Sequence, residues 1–292
     1  MIIVSLTGGL GNQMFQYATA RRLAEKHSTI LKLDVTGFES YKLHRYSLHC
    51  FNIWEYLATQ VEIEEYLHNR PSYLSTILEL VRISPKKKSS NTVYKETAFN
   101  FDSVILEASN NSYLQGYWQS DKYFEDIEDV LRREFTFKYP QDHKNREISQ
   151  LIQDTVSVSL HIRRTDYVTN PSAYAVHGVC DLDYYERCIN YIAEKINNPY
   201  FFIFSDDPDW AKENIKINFP TIIIAHNNAS KNYEDLRLMS QCQHNIIANS
   251  TFSWWGAWLN DNPDKIVCTP RQWFNDSYRD TTDLIPDTWL TL

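Results

Sequence analysis

The chain has 292 residues, 43% of them apolar, 14% aromatic and 23% charged, enough apolar side chain for a sizeable core and too much for a collagen-like, low-complexity or disordered class. Its 29 basic and 37 acidic residues leave a formal net charge of −8, which argues against nucleic acid as the partner and leaves room for a local basic pocket. At ~150 residues per domain the length predicts two domains.

Ile2 to Leu6 is a short apolar run followed by a Gly-rich turn. Gln13 to His27 then carries Phe15, Ala18, Arg22 and Met14, Tyr17, Arg21 at helical spacing. Asn12 stands where an N-cap would stand, and Ile30 to Asp34 supplies the next strand. This β-α-β opening predicts a parallel sheet covered by helices. Only seven residues are Gly, and Gly8, Gly9 and Gly11 fall in one loop, so backbone there is expected to approach something closely. Residues 1–20 carry no charged side chain, but no basic region precedes them and Gly8, Gly9, Asn12 and Gln13 interrupt the apolar run, so we expect cytoplasmic synthesis and no signal peptide.

The middle of the chain is less regular, with helices expected at Gln60 to His68 and Tyr73 to Arg82. The basic segment Arg82 to Lys88 (RISPKKK) reads as a solvated linker, with peripheral contact to anionic lipid on the inner membrane face as the alternative. A strand is expected at Tyr113 to Tyr117 and a helix at Asp121 to Arg133. The polar stretch Tyr139 to Arg146 (YPQDHKNR) is the expected boundary, giving domains 1–145 and 146–292. Beyond it, apolar runs at Val156 to His161, Tyr200 to Ser205, Thr221 to Ala225, His244 to Ala248 and Lys265 to Cys268 alternate with helical segments. They predict a second doubly wound parallel sheet. No run of ~18 apolar residues occurs, so no spanning helix is expected. The five cysteines, Cys50, Cys180, Cys188, Cys242 and Cys268, contain no C-x-x-C pair and read as reduced, buried thiols.

Open parallel sheets bind ligands beyond the carboxyl ends of their strands. Four successive runs of the second half end in polar clusters there: His161, Arg163, Arg164, Asp166 and Tyr167; Ser205, Asp206 and Asp207; His226, Asn227 and Asn228; Asn249, Ser250, Thr251 and Ser253. Arginine matches phosphate oxygens bidentately and stays charged when desolvated, so Arg163 is the first candidate for a phosphate and Arg164 its support. The alternative is that the pair only bridges to neighbouring carboxylates. Ser250, Thr251 and Ser253 surround the expected start of a helix, where free N–H groups favour an anion. The competing account makes Ser250 an ordinary N-cap and Trp254, Trp255 and Trp258 core. A carboxylate at Asp206 or Asp207 can accept N1–H and the 2-amino group of guanine. Alternatively the two cap the next helix, or Asp207-Pro208-Asp209 mimics a manganese-binding D-x-D. At the N-terminus, Gly9-Leu10-Gly11 with Asp34 matches part of a dinucleotide fingerprint, but Met14 stands where Gly or Ala is needed.

HIRRTDY (161–167), FSDD (204–207) and NSTFSWWGAWL (249–259), with GGLGNQMFQYA (8–18) and GYWQS (116–120), resemble the family 11 glycosyltransferases, the alpha-1,2-fucosyltransferases, in order and spacing. HGVCDLDYY (177–185) is similar to the bacterial branch that builds surface polysaccharides of the O-antigen kind. The resemblance implies an α/β, GT-B-like fold of two Rossmann-like lobes with parallel sheets facing a cleft. It further implies GDP-fucose as donor, the 2-hydroxyl of a terminal β-galactoside as acceptor, inversion at C1, and no metal or other cofactor. Residue by residue it places His161, Arg163, Ser205, Asp206, Asp207, Asn249, Ser250, Thr251 and Ser253 on the donor, with Arg164 auxiliary. Gly8, Gly9, Asn12, Gln13, Trp118 and Gln119 then stand on the acceptor side. Related core-type enzymes carry a Glu ten residues after the motif His; Pro171 stands there in this chain, leaving Asp166 and His177 as candidate bases or a late proton transfer with no strong base. Fucosyl transfer in another linkage, a non-catalytic sugar-binding protein suggested by the aromatic content, and a nicotinamide-dependent oxidoreductase are the competing readings.

Overall fold

Ile2–Ser5 is apolar up to its last residue, as a strand covered on both faces must be, and it forms β1 inside a four-stranded sheet. The computed structural model describes residues 1–40, 43–67, 91–275 and 279–292. It divides into two compact units, Met1–Thr136 and Phe137–Leu292.

In the first unit, β1 lies between β2 (Leu31–Asp34) and β4 (Ser112–Gln115), with β3 (Thr92–Lys95) beyond β4, all parallel. The first helix, α1, runs Leu10–Lys26 and starts three residues earlier than expected. Gly8 takes φ +76, a left-handed turn that costs glycine no Cβ clash, so Gly9 becomes the N-cap and Asn12 falls inside the first turn. The strand expected to reach Tyr117 stops at Gln115. The helix expected from Asp121 is replaced by 3-10 turns at Asp121–Tyr123 and Glu125–Ile127, with α3 only at Glu128–Glu134, because Phe124 between the turns leaves the helical region at φ −146 and ψ 15. The second helix, α2, is Gln60–Leu67. The expected helix at Tyr73 to Arg82 and the RISPKKK segment lie outside the described residues. β3, short and at the sheet edge, had no distinct sequence signal.

The second unit holds β5 (Ser157–Ile162), β6 (Tyr200–Ser205), β7 (Thr221–Ile224), β8 (His244–Ile246), β9 (Val267–Thr269) and β10 (Leu290–Thr291), all parallel, in the order β10-β9-β8-β5-β6-β7. Between them run α4 (His143–Gln153), α5 (Thr165–Thr169), α6 (Pro171–His177), α7 (Leu182–Lys195), α8 (Pro208–Asn214), α9 (Asn232–Gln241) and α10 (Thr251–Leu259). Every residue of β5 is buried, and Val158, Leu160 and Ile162 pack with Tyr184, Tyr185, Cys188, Ile192 and Ile203 in one core. At roughly 25 cal/mol per Å² of apolar surface, this burial is what holds the central strand and the residues at its end.

The break between the units falls at Thr136/Phe137, nine residues before the expected boundary. YPQDHKNR is the entry to a helix: Asp142 caps α4 by accepting from Asn145 N at 3.0 Å. Arg237 stacks on Phe137 at 4.5 Å and donates to the Tyr139 carbonyl at 2.7 Å, drawing 137–142 into the second unit. All five cysteines are free thiols. Among the described residues no helix is long and apolar enough to cross a membrane.

Candidate functional site

The chain leaves β5 outward through β6 and β7 and returns to the other side of β5 as β8, so the strand order reverses between β5 and β8. Such a switch point leaves a crevice at the strand carboxyl ends where the two connections diverge. HIRRTDY leaves β5 there and NSTFSWW leaves β8. His161 Nδ1 and Ser253 Oγ meet at 2.8 Å and tie the two segments together. Burial lowers the pKa of His161, the Asp206 carboxylate opposes this and Arg163 adds to it, so the imidazole is neutral at physiological pH.

Arg163 and Arg164 leave the end of β5 toward different partners. Arg163 Nη1 pairs with Asp206 Oδ2 at 3.0 Å, and its guanidinium lies 5.4 Å from the Tyr167 ring. The Arg164 guanidinium stacks on Trp210 at 3.8 Å, and its Nε is buried 3.7 Å from Asp207 Oδ2. Both arginines thus meet neighbouring carboxylates, as the bland account of the motif has it.

The two aspartates divide their work. Asp206 Oδ1 accepts from Arg164 N at 2.8 Å, and Oδ2 accepts from Thr165 N at 3.1 Å and Thr165 Oγ1 at 2.6 Å. With Arg163 also on Oδ2, Asp206 is a clamp on the turn from β5 into α5, and its carboxylate is largely used up. Asp207 caps α8, accepting from Trp210 N at 3.2 Å, and its own N–H donates to Ser205 Oγ at 3.0 Å. Of the two aspartates considered for guanine, Asp207 keeps the more exposed carboxylate, 37% against 18% for Asp206.

At the β8 end, Ser250 is the N-cap of α10, accepting from Phe252 N at 3.3 Å. Thr251 opens the helix. Ser253, 1% exposed, is consumed by His161 and by its donation to the Ser250 carbonyl at 3.3 Å, so it supports the site from beneath. Asn249 is buried and donates to the His177 carbonyl at 2.8 Å and the Trp273 carbonyl at 3.2 Å. Trp254 and Trp255 are fully buried and Trp258 nearly so, all three in the core. The third polar cluster, at the end of β7, does not join the others. His226 Nε2 lies 2.9 Å from Asn145 Oδ1, and Asn227 Nδ2 donates to Asn145 Oδ1 at 3.0 Å and to Asp235 at 2.7 Å, which ties the β7 end to α4 and α9.

His177 ends α6 with its ring stacked on Tyr167, centroids 4.6 Å apart and 5° from parallel, and with the Phe274 ring tilted beside it at 5.5 Å. Asp166 stands on α5, and its side chain lies outside the described residues. Sequence reasoning missed Tyr184 and Tyr185. Tyr184 OH is 2.6 Å from the Ile247 carbonyl and Tyr185 OH 3.2 Å from that of His161, so one end of α7 pins both strand ends. Their signal was the cap Asp181 opening an amphipathic helix, which marks burial and not what the hydroxyls reach.

The first unit repeats the plan on a smaller scale. Its strand order reverses between β1 and β4, and GGLGNQ follows one while GYWQS follows the other. Gln119 Nε2 donates to Asn12 Oδ1 at 2.9 Å and Gln16 Nε2 to the Gly116 carbonyl at 3.0 Å, stitching the two loops. Gln13 is buried, donates to the Gly8 and Arg45 carbonyls at 2.9 Å each and accepts from Ser47 N at 2.8 Å, so it is structural. Trp118, which the resemblance places on the acceptor side, is 1% exposed and edge-on to Tyr123, so it offers a sugar no face to stack on. Its backbone sits at φ +55, uncommon for a bulky residue, held by Glu96, whose two carboxylate oxygens accept from Tyr117 N at 2.7 Å and Trp118 N at 2.9 Å. The dinucleotide reading loses its ribose acid, because Asp34 is buried and satisfied by Thr36 N, Thr36 Oγ1 and Tyr113 OH at 2.9, 2.7 and 2.6 Å. Among the described residues no group of three or more His, Cys, Asp or Glu could hold a metal ion.

The model of Glycosyl transferase family 11 matches residues 1–292. An alpha-1,2-colitosyltransferase of Escherichia coli is 34% identical over 100% of this chain and 99% of its own length. The O-antigen biosynthesis glycosyltransferase WbnK of Escherichia coli is 35% identical over 98% and 99%. The galactoside 2-alpha-L-fucosyltransferase Sec1 of Mus musculus is 22% identical over 89% of this chain and 64% of its own. A crystal structure of NodZ alpha-1,6-fucosyltransferase soaked with GDP-fucose aligns with a TM-score of 0.49 at 13% identity, covering 88% of this chain and 92% of that one. The match along its whole length, and two relatives above 30% identity across it, make this chain a member of glycosyltransferase family 11.

Proposed function

We propose that the protein is an inverting alpha-1,2-fucosyltransferase, moving fucose from GDP-fucose to the 2-hydroxyl of a terminal β-galactoside during synthesis of an O-antigen-like polysaccharide. The observation that carries the donor half is the switch point between β5 and β8, where Arg163 and the start of α10 stand on segments joined by the His161–Ser253 contact. Arg163 meets the diphosphate, displacing part of its pairing to Asp206, while Arg164 supports it. Thr251 and the first N–H groups of α10 meet the remaining phosphate oxygens, and Asp207 is the candidate for guanine. Gly8, Gly9, Asn12 and Gln119 of the first unit serve the acceptor side.

In the reaction, the acceptor oxygen forms a bond to C1 as the bond from C1 to the diphosphate breaks, and the electron pair of that bond leaves with GDP. Negative charge develops on the leaving phosphate, where a fixed guanidinium and a helix start stabilise the transition state more than the ground state. The proton of the hydroxyl passes to Asp166 or is lost late without a strong base. With cationic and dipolar groups neutralising the phosphates, no metal is required.

The test is release of GDP from GDP-fucose by the purified protein in the presence of a β-galactoside, with and without EDTA, followed by linkage analysis of the product. Strict dependence on a divalent ion overturns the metal-free reading, and a product substituted elsewhere than O2 overturns the linkage. Arg163→Ala is expected to lower turnover about 100-fold or more. A second reading, transfer of a colitosyl group by the same site, is favoured by the full-length similarity to the colitosyltransferase and is decided by offering both donors.

A further inference from the structure

The segment between β5 and α7 carries an aromatic stack that the reaction as described does not use. The Arg163 guanidinium lies 5.4 Å from the Tyr167 ring, and Tyr167 lies on His177 at 4.6 Å and 5°. His177 in turn meets Phe274 at 5.5 Å, which carries the Arg279 guanidinium at 4.7 Å. The stack therefore runs from the candidate phosphate-binding arginine back to the C-terminal segment. That segment is fixed in place, since Asn275 donates from its backbone N to the Val176 carbonyl at 2.9 Å and from Nδ2 to the Tyr174 carbonyl at 2.8 Å.

The backbone of the same histidine reaches the other half of the site. Its carbonyl accepts from Asn249 Nδ2 at 2.8 Å, and Asn249, 2% exposed, immediately precedes the N-cap of α10. We propose that His177 is a positioning residue for both halves of a diphosphate clamp, its ring acting through Tyr167 on Arg163 and its carbonyl through Asn249 on the start of α10. The physical reason is preorganisation. A guanidinium held between a carboxylate and an aromatic face has little side-chain freedom left to lose when an anion arrives. An imidazole stacked on Tyr167 with the tilted Phe274 ring beside it suits such a support, and a phenyl ring of similar size would do the same work.

The inference rests on the donor reading above, and the experiment separates the two. GDP is titrated calorimetrically into the wild-type protein and into Arg163→Ala, His177→Ala, His177→Phe, Tyr167→Leu and Asn249→Ala, with donor KM, acceptor KM, kcat and thermal unfolding measured in parallel. His177→Ala and Tyr167→Leu are expected to weaken GDP about tenfold and raise the donor KM alike, the scale of one lost aromatic pair, with the acceptor KM unchanged. His177→Phe restores GDP affinity to within about threefold of wild type. Asn249→Ala weakens GDP by a similar factor.

Unchanged GDP affinity in His177→Ala and Tyr167→Leu overturns the proposal. So does a His177→Phe variant that binds GDP normally but turns over as poorly as His177→Ala, which would make the imidazole a proton carrier. If wild type binds GDP but Arg163→Ala does not weaken it, the donor reading fails and takes this one with it. Weakening by Arg163→Ala without weakening by the stack variants sinks the positioning role alone. Should His177→Ala fail to fold, Tyr167→Leu and His177→Phe read the same stack.

Discussion

Removing Asp206 should damage the protein more than removing its neighbour Asp207, although the two share a motif and a charge. Asp206 accepts hydrogen bonds at 2.8, 3.1 and 2.6 Å and pairs with Arg163 at 3.0 Å, at 18% side-chain exposure. A hydrogen bond to a charged group contributes about 1.5–3 kcal/mol net, and these three share one carboxylate at a partly wet site, so we expect Asp206→Ala to lose about 2–4 kcal/mol. Asp207 gives up one helix cap, accepting at 3.2 Å, and Asp207→Ala should lose only about 0.5–2 kcal/mol. Urea unfolding followed by tryptophan fluorescence measures both. The nucleotide reports the other half: if Asp207 reads the 2-amino group of guanine, the preference of wild type for GDP over IDP disappears in Asp207→Ala and survives in Asp206→Asn. Equal destabilisation by the two alanines, or a stability change under about 0.5 kcal/mol in Asp206→Ala, refutes the clamp.

Ser253→Ala leaves the buried His161 Nδ1 without its 2.8 Å partner and should cost about 1–3 kcal/mol by denaturant titration; a change within error would mean the ring turns to another partner. Gly116→Ala brings a Cβ into the Glu96 side chain and within 2.8 Å of the Trp118 indole, and about 1–3 kcal/mol of stability should go with it. Burial raises the carboxyl of Asp235 to about 7, with Glu234 adding and the Asn227 amide opposing. Between pH ~4 and ~7 the folded state therefore holds a proton that the unfolded state has released, so this group's contribution to stability declines as pH rises through that window. Asp235→Asn should be more stable than wild type at pH 8, by about 1 kcal/mol or more, and equal to it near pH 4; a difference independent of pH counts against the shift.

Much of the secondary structure was legible because buried parallel strands are continuous apolar runs and capped amphipathic helices announce their starts. The apolar runs Val156 to His161, Tyr200 to Ser205 and Thr221 to Ala225 predict strands on that ground and fall on β5, β6 and β7 to within a residue or two, and Leu182–Lys195 is a helix as expected. The misreadings share one cause, a local signal with two meanings. YPQDHKNR is polar as a linker is polar, but its Asp142 and Asn145 are a cap and a first turn. Asn12 has the composition of a cap, and the left-handed turn at Gly8 moves the helix start ahead of it. Trp118 has the composition of a sugar platform and is a core residue.

The charge and dipole at the strand ends of the second unit are legible in residue types alone. A buried strand ending in HIRR and a helix opening with NSTFS carry their charge and dipole wherever they are placed, and strand polarity alone sends both to the same edge of a parallel sheet. Which carboxylate is a clamp and which stays partly exposed, whether Ser253 faces a ligand or a histidine, and what stands behind Tyr167 were decided only by tertiary structure. Those answers depend on the order of the strands and on contacts as distant in sequence as His161 to Ser253 and His177 to Phe274, and no local pattern of residue types encodes a distance between them.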